Sequence, residues 1–177
     1  IKMWSSNGFQ VQSNHFEKSS LRDDIQKCMG VDVDNSGSVN NRIQNNSYAN
    51  LKVGNLSTRL NTNKIFDLLN DNKSEGLEFL CNNYMSGIVQ SEYVFGSSAE
   101  PGGIRRVQGS EADLAGNIFN GSGALWSQDI YMQDAASTSP KTQPIDKYYY
   151  SLLMTSEKPN KRSANVAIDG KPYNSNC

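Results

Sequence analysis

The chain has 177 residues, a formal net charge of −1 and 36% apolar residues. That is length enough for one domain with its own core, and a charge balance that supplies no basic face for nucleic acid or anionic lipid. With 21 Asn and 23 Ser against 20% charged residues, the composition suits a loop-rich, β-containing protein exposed to solvent, because small uncharged polar groups serve turns and open sheet faces. Eight Tyr, six Phe and two Trp exclude a disordered chain.

Taken in order, Ile1 to Gly30 is expected to carry the main helix. Phe9, Phe16, Leu21, Ile25 and Cys28 recur at helical spacing, and LRDDIQKCMG ends with Lys27 in the last turn and Gly30 as terminator. The opening IKMWSSNGFQVQ reads either as a hairpin through Ser-Asn-Gly or as the start of the same helix, interrupted at Gly8. Residues 31–50 are polar and turn-rich. Within them VDVDNSGSV resembles the first half of a calcium loop, with Asp32, Asp34 and Ser36 at its first, third and fifth positions and Gly37 at the turn. The twelfth position is Ile43 rather than a bidentate Glu, so a solvated acidic turn competes with a calcium site.

Leu51 to Leu60 reads as strand, and KIFDLL as a short helix behind Thr62 or Asn63. Leu77 to Cys81 alternates as a strand. From Gly87 the pattern predicts a hairpin: Val89, Tyr93 and Phe95 face inward and Gln90 and Glu92 outward, Ser97 to Gly103 turns, and Ile104 to Val107 returns. Arg105 or Arg106 would then reach Glu92 across the hairpin. Ser110 and Asp113 suggest a helix cap before Leu114 and Ile118. Ala124 to Met132, with Trp126, Ile130 and Met132 on one face, is a strand. Lys147 to Thr155, through Tyr148, Tyr149 and Tyr150, is the strongest strand and should be central. SANVAI is a last strand, and no internal repeat is evident.

Chemical signatures are few. The single His15 lies beside Phe16 with no nucleophile and carboxylate marked for it, and Asp23 and Asp24 diverge by about 100° on a helix. The glycines of EPGGIRR lack the Lys and Ser or Thr of a phosphate loop. Cys28, Cys81 and Cys177 match no zinc or redox spacing and allow at most one disulfide. Asn45, Asn55, Asn72 and Asn120 satisfy the N-x-Ser/Thr rule. The three tyrosines serve either core packing or a ligand platform. No catalytic or cofactor-binding residue emerges, and the metal candidates are Asp32, Asp34 and Ser36 alone. The chain begins at Ile1 without a signal peptide or an apolar run of about 18 residues, as expected of a mature or truncated product.

The succession of Leu21, Asp24 and Ile25, then Leu77 to Phe79, Val89, Tyr93 and Phe95, Ile104 to Arg106, Leu114 to Ile118 and a final YYYSLLM strand resembles the J-type minor pseudopilins of type II secretion and minor type IV pilins. That resemblance implies an α+β fold, a single domain over 1–177, with a long N-terminal helix (1–30) packed on an antiparallel β-sheet head (31–177). It implies a non-enzymatic subunit that primes or caps a pilus or pseudopilus on the bacterial surface, extracellular or periplasmic. Its partners would be other minor and major pilin subunits, with the membrane reached through an N-terminal helix and no nucleic acid involved. The alternative is a secreted adhesin or lectin-like domain that uses Trp126 or Tyr149 as its ligand surface. A third is a secreted hydrolase with a site assembled from scattered residues.

Overall fold

The computed structural model describes residues 1–18, 28–37, 39–62, 75–85, 87–96, 103–120, 128–134, 145–164 and 166–177. Their strands are short and come round in threes. Lys2–Trp4 (β1), Gln10–Gln12 (β2) and His15–Glu17 (β3) make a first coil, and Met29–Asp34 (β4), Asn41–Gln44 (β5) and Ser47–Ala49 (β6) a second. Val53–Thr58 (β7), Leu77–Leu80 (β8) and Asn83–Tyr84 (β9) make a third, and Gln90–Gly96 (β10), Val107–Gln108 (β11) and Ile118–Phe119 (β12) a fourth. Gln128–Asp134 (β13), Ile145–Ser151 (β14), a 3-10 turn at Thr155–Glu157 and Val166–Lys171 (β15) complete the chain.

Each strand pairs in parallel with its counterpart one coil on. The sheets run β1-β4-β7-β10-β13 on one face, β2-β5-β8 and then β11-β14-β15 on a second, and β3-β6-β9-β12 on a third. This is a parallel β-helix, a solenoid that advances about 4.8 Å per coil. The second face is discontinuous between β8 and β11, where the buried Gln108 side chain bridges the gap: its Oε1 accepts the Phe79 N–H at 2.9 Å and its Nε2 donates to the Leu77 carbonyl at 3.1 Å.

Like stacks on like inside the coils. Asn46, Asn82 and Asn117 lie one above another, each Oδ1 accepting the backbone N–H of the asparagine one coil earlier (Asn14, Asn46 and Asn82) at 3.0, 3.2 and 2.8 Å. Their Nδ2 groups donate to the carbonyls of Val11, Ile43 and Phe79, so one side chain satisfies the polar backbone of a buried turn on both sides. The residue before each asparagine, Ser13, Asn45, Cys81 or Gly116, has positive φ, which makes the same corner in four coils. Two positions after the asparagines stand Phe16, Tyr48, Tyr84 and Phe119, stacked at 5.2, 5.1 and 5.5 Å with interplanar angles of 9–17°. Gly30 and Gly54 lie against the Tyr48 and Tyr84 rings.

Several expectations are corrected. The α+β fold with a long N-terminal helix on an antiparallel sheet is replaced by parallel sheets, and residues 1–18 and 28–30 are strand and turn; the LRDDIQK segment, residues 21–27, lies outside the described residues. Phe9 and Phe16 face the core from successive edges of one coil, a spacing that only resembles a helical repeat. The hairpin does not form: β10 pairs with β7 and β13, and β11 with β14. Glu92, expected outward, is fully buried together with Val94. Arg105 pairs with Glu78, not Glu92. Ser110 to Asp113 is a turn, closed by Asp113 N–H to Ser110 Oγ at 3.0 Å, and not a helix start. The KIFDLL helix and Trp126 lie outside the described residues. The strands at 53–58, 77–80, 128–134, 145–151 and 166–171 fall where strands were expected, and β14 is central in its sheet.

Candidate functional site

The second face carries a run of polar side chains linked by hydrogen bonds. Gln10 and Gln44 both donate to Gln12 Oε1, at 2.7 and 3.2 Å. One row further, Arg42 Nε reaches Glu78 Oε2 at 3.2 Å and Arg105 Nη1 donates to Glu78 Oε1. The parallel register sets Arg42 beside Glu78, so the carboxylate is clamped between guanidiniums from the coils before and after it. Glu78 is buried, whereas half of the Arg42 side chain is exposed. The arrangement leaves planar donors and acceptors fixed in a line along the solenoid.

The line opens into a cleft of about 370 Å³ lined by Arg105, Val107, Gly109, Ser110, Glu111, Ala112, Lys147 and Tyr149. Register places Lys147 beside Val107. Lys171 lies 5.3 Å from the centre of the Tyr149 ring and bridges to Glu111 at 3.1 Å and Asp169 at 3.3 Å. These partners, Glu111 first, raise the Lys171 ammonium above its ordinary pKa. Beyond the Ser110–Asp113 turn is a second, more polar cleft of about 300 Å³ with Arg42, Gln44, Asn45, Asp113 and Asn176 on its walls and the Cys81–Cys177 disulfide beside Leu80 and Leu114. Gly109, at φ +73°, makes the close turn between the clefts; a Cβ there would sit 2.5 Å from the Ala115 nitrogen. The C-terminal tail is tied down across this region, with Tyr173 donating to the Glu111 carbonyl and Asn176 Nδ2 to the Ala112 carbonyl.

The calcium candidates are separated. Asp32 and Asp34 share the outer side of β4, where Asp34 accepts Arg59 Nε and Nη2 at 2.6 Å each and Asp32 lies 3.6 Å from Lys2. Arg59 holds Asp34 below the usual carboxylate range, and burial pushes Asp32 up. Ser36 is buried beyond the left-handed turn at Asn35, its N–H given to Asn61 Oδ1 at 2.7 Å. Among the described residues no group of three His, Cys, Asp or Glu could hold a metal ion. His15 is an exposed strand residue between Ser47 and Glu17. Tyr148, Tyr149 and Tyr150 are all buried.

Glu92, expected on the solvent face of its strand, lies instead at the centre of the core. Tyr48 donates to Asn55 Oδ1 at 2.6 Å, Asn55 Nδ2 to the Tyr84 hydroxyl at 2.7 Å, and Tyr84 to Glu92 Oε1 at 3.4 Å. Asn117 donates to Glu92 Oε1 and the Tyr148 hydroxyl at 2.9 and 2.8 Å. Burial drives the Glu92 carboxyl well above its ordinary pKa, favouring its neutral form. The chain fits no protein-family model, and no curated protein or solved structure matches it.

Proposed function

We propose that the chain is a non-enzymatic, extracellular binding module of the lectin-like kind, and that the second face holds a linear, hydroxyl-rich ligand, an oligosaccharide, along the solenoid. The observation that carries this reading is the Arg42–Glu78–Arg105 clamp running into the Lys147 and Tyr149 cleft. Opposite charges nearly balance along it, which suits a neutral polyol better than a polyanion. Side chains held by one another lose little conformational entropy when a ligand arrives. The Cys81–Cys177 disulfide fits an oxidising compartment.

A glycan array followed by calorimetry on the hits tests the proposal. Arg42→Ala and Lys147→Ala should each weaken binding roughly tenfold, about 1.4 kcal/mol, while Leu153→Ala, at an exposed site in the turn after β14, leaves it unchanged. An array without a specific hit, or affinities indifferent to Arg42 and Lys147, overturns it. The filament-subunit reading leans on a helix and hairpin that the coils replace, and it stands as a second proposal, tested by co-purification with a set of minor pilins.

A further inference from the structure

His15 and Glu17 are two residues apart in β3, so both side chains leave the same side of the strand while Phe16 between them packs on the core. The parallel register sets Ser47 of β6 beside His15, and Asn83 of β9 beside Ser47. Winding thus brings a serine, a histidine and a carboxylate that are remote in the chain into one outward row on the third face.

The row is joined by hydrogen bonds. His15 Nδ1 lies 2.7 Å from Ser47 Oγ, and His15 Nε2 lies 3.2 Å from Glu17 Oε2. An ionised carboxylate only accepts, so Glu17 keeps the ring proton on Nε2 and leaves the Nδ1 lone pair for the Ser47 hydroxyl proton. Asn50 Nδ2 donates to the other Glu17 oxygen at 3.5 Å. Beneath the row the Phe16 and Tyr48 rings stack at 5.2 Å, and the Ser47 N–H donates to the Asn14 carbonyl at 2.9 Å, which holds the two strands in place under their side chains. On the other side of Ser47, the buried Oδ1 of Asn83 has no hydrogen-bond partner, and reversing that amide puts a donor there instead. His15 and Glu17 side chains are 53% and 48% exposed, so a reagent reaches the row from solvent.

We propose that Ser47 is an activated nucleophile that accepts an acyl group from small esters, with His15 as its general base and Glu17 as a positioning residue. Ser47 Oγ attacks the ester carbonyl carbon while its proton passes to His15 Nδ1. Negative charge grows on the carbonyl oxygen, where Asn83 Nδ2 is placed to donate. The bond to the leaving alkoxide then breaks, His15 returns the proton to it as an alcohol, and the acyl group stays on Ser47 as an ester. The step modifies the chain once and consumes the nucleophile. It goes beyond the oligosaccharide reading and uses a different face, so either stands or fails without the other.

A fluorophosphonate probe, which forms a P–O bond to an activated serine and releases fluoride, reads the outcome on the 177-residue chain. Peptide mass mapping locates the adduct, its time course gives the rate, and thermal unfolding shows that the variants fold. The wild type should carry one adduct, at Ser47. Ser47→Ala should carry none, and His15→Gln should label roughly 100-fold more slowly. Glu17→Gln should slow labelling roughly tenfold, and Glu17→Asp, which keeps the carboxylate, should recover part of that loss. p-Nitrophenyl acetate should leave an acetyl group on Ser47 of the wild type. An unlabelled or unacetylated Ser47, adducts spread evenly over other serines, or a rate indifferent to His15→Gln and Glu17→Gln overturns the proposal.

Discussion

Asn82 Oδ1 accepts the backbone N–H of Asn46 at 3.2 Å across one coil, while Asn82 Nδ2 donates to the Ile43 carbonyl at 2.8 Å and its own N–H to Asn117 Oδ1 at 2.8 Å. Asn82 is fully buried, so truncation leaves donor and acceptor groups without water or partner. Asn82→Ala should destabilise by about 3 kcal/mol, read as a fall in the denaturant midpoint at constant slope. Asn82→Asp should cost more, since it removes the donor to Ile43 and adds a buried carboxyl.

Glu92 responds to pH in the opposite sense from a surface acid. Burial raises its folded-state pKa, so above the unfolded value of about 4.3 the unfolded chain releases a proton that the folded chain keeps. Stability therefore falls as pH climbs from that value toward the folded pKa, by about 1.4 kcal/mol per pH unit. Glu92→Gln keeps the Oε1 acceptor for Asn117 and cannot ionise. It should match the wild type near pH 4 and gain on it steadily as pH rises toward neutrality, in unfolding curves recorded across that range.

Cys81 and Cys177 are joined across 96 residues, and the bond pins the tail to the third coil. On the chain-entropy account a loop of that size stabilises by about 4.7 kcal/mol. Cys177→Ser should lower the melting temperature by roughly 10 °C, and reductant should do the same to the wild type but not to the variant. Mass spectrometry without reductant would confirm the pairing.

Gly54 has no room for a side chain: a Cβ would stand 2.7 Å from Tyr84 Cε1 and 2.8 Å from the Ser91 carbonyl oxygen. Gly54→Ala should cost about 1–3 kcal/mol through overpacking of the ring stack. Gly8→Ala meets no atom within 4 Å, and its cost comes only from its φ of +69°, about 1 kcal/mol. Thermal melts of the two variants separate the mechanisms.

Millimolar calcium should leave the melting temperature unchanged, because Arg59 already engages both oxygens of Asp34. An upward shift that Asp34→Asn abolishes would restore the Asp32 and Asp34 site.

Composition alone determined that the chain is β-rich and full of turns, and local alternation located β7, β8, β13 and β14 because each buries apolar residues within a few positions. A repeat is also present in the sequence, although it is not evident there. Asn14-His15-Phe16, Asn46-Ser47-Tyr48, Asn82-Asn83-Tyr84 and Asn117-Ile118-Phe119 place an asparagine two residues before an aromatic ring, 32, 36 and 35 residues apart, and that period is the mark of a solenoid. It is hidden because the intervening turns vary in length and composition. Which strand pairs with which was decided only in three dimensions. Period-2 alternation states that a residue has an inner and an outer neighbour, but not whether the partner strand lies across a hairpin or one coil away. Once the coils stack in parallel, the interior is long and narrow enough to satisfy polar groups against each other, and Asn55, Asn82, Asn117 and Glu92 become core residues. The same stacking brings Arg42, Glu78 and Arg105 from three coils into one line, because residues at equivalent coil positions meet only when the chain has wound round between them.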